Sequence, residues 1–146
     1  MNTTALKVVL DTNVLIASIG RKSPYRWIFD AAIDGRICLC VSNEILFEYQ
    51  EILTLKTTAQ VSENVANFIA VSPHTHKVDI FFNFGLIVQD ATDNKFVDCA
   101  IASNALCLVS NDKHFQALRE IDFPRINILT LTEFESRYRS ELSSRA

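Results

Sequence analysis

The sequence predicts an α/β domain built on a parallel sheet with helices on both faces. Two observations carry that reading. Short apolar runs alternate along the chain with amphipathic segments of helical period, the order expected of βα units. The runs are rich in Val, Ile, Leu and Cys and lack strict polar alternation, as strands buried on both sides do. At 146 residues the chain reads as one domain, 1–146, long enough for a real core. It shows no repeat, low-complexity tract or interdomain linker.

The first run, LKVVLD (6–11), is β-branched and stops at Asp11. SPYRWIFDAAIDG (23–35) has helix-start chemistry, with Ser23 as N-cap, Pro24 at the first helical position and Gly35 as a stop. RICLCV (36–41) reads as a buried strand, and SNEILFEYQEIL (42–53) as a helix opened by Ser42. TTAQVSENVANFIAV (57–71) has helical period. HTHKVDIFFNFGLIVQDATD (74–93) is expected to hold a short edge strand and a loop. A helix from about Asn94 to Ala105 follows, then the strand LCLV (106–109). DKHFQALREI is a short helix and INILTL (126–131) a last strand. TEFESRYRSEL closes the fold as a helix, with Thr132 and Glu135 spaced as a capping box. The tail, 143–146, is expected to fray.

Half the residues are hydrophobic, which excludes a mostly disordered chain. No apolar run is long enough to span a bilayer, and residues 1–10 lack the regions of a signal peptide, so a cytoplasmic location is expected. The four cysteines sit in apolar surroundings with no CxxC, and are expected to be reduced and buried. His74, His76 and His114 are read as surface residues. Net charge is −3, and residues 37–110 supply the excess, with eight Asp/Glu against three Lys/Arg.

In an open parallel sheet, ligands bind beyond the carboxyl ends of the strands. Asp11 ends the first strand and Asp112 follows Val109 by three residues, so both belong on that edge. An aspartate after a strand also commonly caps the next helix, and either role suits each of them alone. Asp98 is harder to dismiss. At roughly 100° per residue its helical neighbours are Ile101, Ala102 and Ala105, and a carboxylate on such a face must be paired or coordinated. Asp93 stands at the N-cap of the same helix, with Asp90 shortly before it, as a cap or as part of a site. In the Ser42 helix, Ile45, Leu46, Tyr49, Ile52 and Leu53 define a buried arc. Of Glu44, Glu48 and Glu51, Glu48 lies closest to that arc and is expected to reach inward. Asp11, Glu48, Asp98 and Asp112 are therefore expected to converge, with Asp93 as a further candidate. Such carboxylates cannot all ionise without a counter-charge. A hard divalent cation, Mg2+ or Mn2+, is the common remedy, and metal-assisted phosphodiester hydrolysis is the chemistry it serves.

The segments VVLDTNVLIAS, SNEILFEYQEIL, DATDNKFVDCAIASNA and LVSNDKHF, in that order, resemble a PIN domain. The resemblance covers roughly residues 6–135 and is strongest to the branch of toxin components of toxin–antitoxin systems, the VapC-like proteins. It implies a three-layer α/β/α fold around a central parallel sheet and a Mg2+- or Mn2+-dependent ribonuclease. Residue by residue, it places Asp11, Glu48, Asp98 and Asp112 as the four catalytic acids. Asp11, Asp93, Asp98 and Asp112 are the implied metal ligands, and Asn13 and Ser110 support them. The branch usually has proline and a second acid where this chain has Ala91 and Thr92, a departure that lies between acids. An antitoxin partner and a homodimer are implied by the resemblance alone.

An RNA substrate also has to be held. Arg21, Lys22, Arg26 and Lys113 are candidate phosphate contacts, and Tyr25 or Trp27 a stacking platform; a solvated helix start with a buried Trp27 is the plainer alternative. The same acids suit a structure-specific DNA nuclease. A phosphoacceptor module would need an acid beside Asp11, where Thr12 stands, and an aspartyl phosphatase would need DxD, which Asn13 breaks. A catalytically silent partner-binding protein with this fold would be expected to lack motif acids that this chain has.

Overall fold

The computed structural model describes residues 5–87, 93–122 and 124–143. Its centre is a sheet of five parallel strands, β1 (Leu6–Leu10), β2 (Ile37–Val41), β3 (His76–Lys77), β4 (Cys107–Val109) and β5 (Ile128–Leu129), in the order β3-β2-β1-β4-β5. The helices are α1 (Thr12–Ile19), α2 (Arg26–Ile33), α3 (Asn43–Lys56), α4 (Ala59–Val71), α5 (Asn94–Ser103), α6 (Lys113–Gln116) and α7 (Leu131–Ser143).

Val8 pairs with both Leu39 and Cys107, and Val8 and Val9 are both fully buried. The central strand is thus covered on its two faces, which is why its sequence does not alternate. Lys7 donates from Nζ to the Ser103 carbonyl of α5 at 2.7 Å, so that side of β1 faces α5. Val8 turns the other way together with Cys107, which lies beside Arg137 of α7. With α2 packed on α7 and β2, the result is the three-layer α/β/α arrangement.

Ser42 and Thr58 cap α3 and α4, accepting from the N–H groups of Ile45 and Val61. Residues 12–19, which carried no helix expectation, form α1. The α2 helix starts later than Ser23 and Pro24 imply. Ser23 instead shapes a turn, its Oγ accepting from the Tyr25 N–H at 3.1 Å and donating to the Ala17 carbonyl. Gly35, at φ 81°, ends the helical stretch where a Cβ would lie 2.6 Å from the His74 ring. The last strand is shorter than expected, and the capping box is two residues earlier. Glu133 N–H donates to Thr130 Oγ1 at 3.1 Å and Thr130 N–H to Glu133 Oε1 at 2.9 Å. Glu135 is used differently, accepting from Trp27 Nε1 at 3.2 Å. All four cysteines are free, three of them buried and Cys38 half-buried.

Candidate active site

β1 and β4 are neighbours, and the chain leaves them in opposite directions along the sheet, toward β2 and toward β5. Their carboxyl ends therefore border the crevice in which α/β proteins bind ligands. Asp11 stands at the end of β1, its N–H donating to the Val109 carbonyl of β4 at 3.1 Å. Its Oδ2 accepts from Ser110 Oγ at 2.7 Å, and the same hydroxyl accepts from the Asp112 N–H at 3.0 Å. One fully buried serine thus ties the two strand ends together.

Tyr49, fully buried, donates from its hydroxyl to the Leu10 carbonyl at 2.5 Å and pins α3 to the end of β1. That anchor brings the preceding residue, Glu48, to the same edge. Glu48 accepts from Thr12 Oγ1 and, at 2.7 Å, from Lys95 Nζ. Asp93 at the N-cap of α5 and Asp112 at the N-cap of α6 meet around His114. His114 Nδ1 lies 3.7 Å from Asp93 Oδ2 and 3.6 Å from Asp112 Oδ1. One donor atom from each of these three residues lies within 4.8 Å of the other two.

Burial raises the pKa of Asp11 above its ordinary value, and the nearby Asp112 and Glu48 push the same way, against hydrogen bonds from Ser110 and Thr12. The charged groups that bear on Asp11 are thus acids. A buried carboxyl with acidic neighbours gains from a cation, and His114 Nδ1 is a buried atom with no hydrogen-bond partner among the described residues. Carboxylate oxygens and an unused imidazole nitrogen form a donor set that fits a divalent metal ion.

Asp98 does not join this group. It is buried, as its helical neighbours require, but its Oδ1 accepts from the Phe84 backbone N–H at 3.1 Å. The acid that bears on it is Glu44, not Asp11 or Asp112. It lines a cleft of about 350 Å³ with Glu44, Ile80, Asn83, Gly85, Asn94 and Lys95. Asp98 lies in the second turn of α5, whereas Asp93 stands before its first. Asp98 and Asn94 act as a clasp on the segment before the helix. Asn94 Oδ1 accepts from the Ile87 N–H at 2.8 Å, and Asn94 Nδ2 donates to the Ile87 carbonyl at 2.9 Å. Asp90, Ala91 and Thr92 lie outside the described residues.

Other assignments also change. Arg26 is engaged within the fold, with Nε on Asp30 at 2.9 Å and a terminal nitrogen on the Ile19 carbonyl at 2.5 Å. Trp27 stacks on Phe134, centroids 5.6 Å apart, rather than offering a platform. Arg21, Lys22 and Lys113 are exposed, Lys113 directly beside Asp112. Asn13 is exposed and accepts from Lys56 Nζ at 3.3 Å. Sequence reasoning missed Lys95, Thr12 and His114. The last two stand one and two residues from motif acids, which was the available signal.

A family model for the PIN domain matches residues 7–114. Comparison with curated protein sequences gave no match. Among solved structures, the fold is similar to a chain of VapBC2 from Rickettsia felis, crystallised bound to a DNA fragment from its promoter. The TM-score is 0.57 at 19% identity, over 86% of this chain and 98% of that one.

Proposed function

Taking as premise that this chain belongs to the PIN-domain family, we propose that it is an endoribonuclease that uses Mg2+ or Mn2+ to hydrolyse RNA phosphodiester bonds. PIN domains are nucleases, and what supports the finer reading is the meeting of Asp93 and Asp112 around His114, beside a strand end where Asp112 and Glu48 bear on the buried Asp11. Asp11, Asp93 and Asp112 would hold the ion. When bound, it supplies a water nucleophile at neutral pH and offsets charge growing on the phosphoryl oxygens.

The rest is the work of this chain's own groups. Ser110 fixes the Asp11 carboxylate and the Asp112 backbone relative to each other. Thr12 and Lys95 hold Glu48 in one orientation, and Lys95 balances its charge. A Glu48 so placed is suited to orienting a water molecule. Lys113, exposed beside Asp112, is the nearest candidate to meet a substrate phosphate, with Arg21 and Lys22 further along the chain, and binding through them weakens as salt rises.

PIN-domain membership and the fold shared with a VapBC2 chain support a role as the toxin of a toxin–antitoxin pair with an antitoxin protein as partner; a homodimer acting in the cytoplasm is part of this proposal. Among the described residues no helix is long and apolar enough to cross a membrane.

The test is cleavage of labelled single-stranded RNA and DNA with Mg2+, with Mn2+ and with chelator. RNA cleavage that needs metal and is lost in Asp11→Asn and Asp93→Asn is the expected result. Preferential cutting of DNA would favour the DNA-nuclease reading. No cutting of either under any metal condition would favour a partner-binding protein.

A further inference from the structure

We propose that His114 is a nitrogen ligand to the ion that Asp93 and Asp112 hold, and that this nitrogen shifts the site's preference from Mg2+ toward Mn2+. The inference rests on the metal-dependent reading above and concerns a residue that reading does not need.

His114 Nδ1 is buried and, among the described residues, has no hydrogen-bond partner. Its separations from Asp112 and Asp93, 3.6 and 3.7 Å, are too long for a hydrogen bond to either carboxylate. They are nearly equal, so the nitrogen favours neither. Donor atoms that share a small cation, each roughly 2.0–2.2 Å from it, lie about 3–4.4 Å apart. Both separations fall inside that range.

The surroundings hold the imidazole where it is. The His114 N–H donates to Asp112 Oδ1 at 2.8 Å, so the acid and the backbone that carries the ring move as one unit. The next residue, Phe115, is fully buried and meets Phe96 of α5 edge to face, centroids 6.2 Å apart. That contact fixes α6 against the helix that Asp93 caps. The three donors therefore sit on two elements locked together by a core contact.

The chemistry then separates the ions. Both ions favour oxygen ligands, but Mn2+ belongs to the first-row series whose members gain from nitrogen donors, and Mg2+ does not. A site with one nitrogen among carboxylates penalises Mg2+ relative to Mn2+.

The experiment is Mn2+ binding to the full chain by electron paramagnetic resonance, with Mg2+ as competitor and electron spin-echo modulation to detect a coordinated nitrogen. Wild type is expected to bind Mn2+ with imidazole nitrogen modulation. His114→Gln should lose the modulation, and its Mn2+-over-Mg2+ preference should fall by about tenfold, the low end of what even an outer-sphere partner is worth. His114→Asp should bind again through oxygen alone, with the preference moved toward Mg2+. Should His114→Gln fail to fold, the wild-type nitrogen signal and His114→Asp still decide. Mn2+ bound without nitrogen modulation would overturn the role of His114 and leave the metal reading standing. So would a nitrogen signal that survives in His114→Gln but vanishes in His76→Gln. No binding of either ion by wild type would overturn both.

Discussion

Asp98 is proposed to hold the segment before α5 through the Phe84 N–H rather than to take part in cleavage, and substitution to asparagine tests that proposal. Asp98 Oδ1 accepts from the Phe84 N–H at 3.1 Å. An asparagine side chain keeps an acceptor there, whereas alanine removes it and leaves a part-buried amide unpaired. That loss costs about 2 kcal/mol, which in a chain of 146 residues lowers Tm by roughly 4–8 °C. Charge adds a pH dependence. Burial raises the Asp98 pKa above 3.8, with Glu44 adding to the effect and the Phe84 bond opposing it. The native state therefore binds this proton more tightly than the unfolded chain. The stability it contributes is complete below pH 3.8 and is lost as pH rises through the folded value. Asp98→Asn removes that loss. It should match wild type in Tm near pH 3 and exceed it at pH 7, while cleaving RNA at a wild-type rate. Asp98→Ala should melt earlier at both pH values. Thermal denaturation by circular dichroism and a gel-based RNA cleavage assay read both effects. An Asp98→Asn variant that melts like wild type yet cuts nothing would refute the clasp and return Asp98 to the catalytic group.

Thr130→Ala should lower stability by about 1 kcal/mol, the usual worth of an N-cap, while Thr132→Ala should change it little; equal effects in chemical denaturation would mean that the cap of α7 is misplaced. Gly35→Ala forces a side chain into a φ of 81° and against His74, and should destabilise by more than about 1 kcal/mol; a variant as stable as wild type would contradict that contact. Ser110→Ala takes the bridging hydroxyl from Asp11 and from the Asp112 N–H. It should cost roughly 1–3 kcal/mol in stability and slow RNA cleavage by about 10- to 100-fold; unchanged rate and Tm would show the bridge to be idle.

The layered fold was legible because its signals are local. The buried strands β1, β2 and β4 announce themselves through runs that are apolar but for Lys7, and Ser42 marks the start of α3. α1 was not visible because VLIAS, after the polar DTN, is an apolar run too short to show a helical period. The start of α7 was misread because Thr130–Glu133 and Thr132–Glu135 have the same spacing. The choice between them is made by tertiary partners, Arg119 on Glu133 and Trp27 on Glu135. Within the site, Asp11 and Asp112 followed from their places at strand ends, and Glu48 from its place on the helix arc. Asp98 was rightly seen as a carboxylate in need of a partner. That partner is a backbone amide, which no search for charged residues reveals.

Asp93 and Asp112, with Asp11 nearby, are proposed to hold one divalent ion. The most direct measurement is anomalous diffraction from crystals soaked in Mn2+. A peak is expected between Asp93 and Asp112, within ligand distance of Asp11 or of water bound to it. A peak between Asp98 and Glu44 instead, or no site at this edge of the sheet at saturating Mn2+, would contradict it.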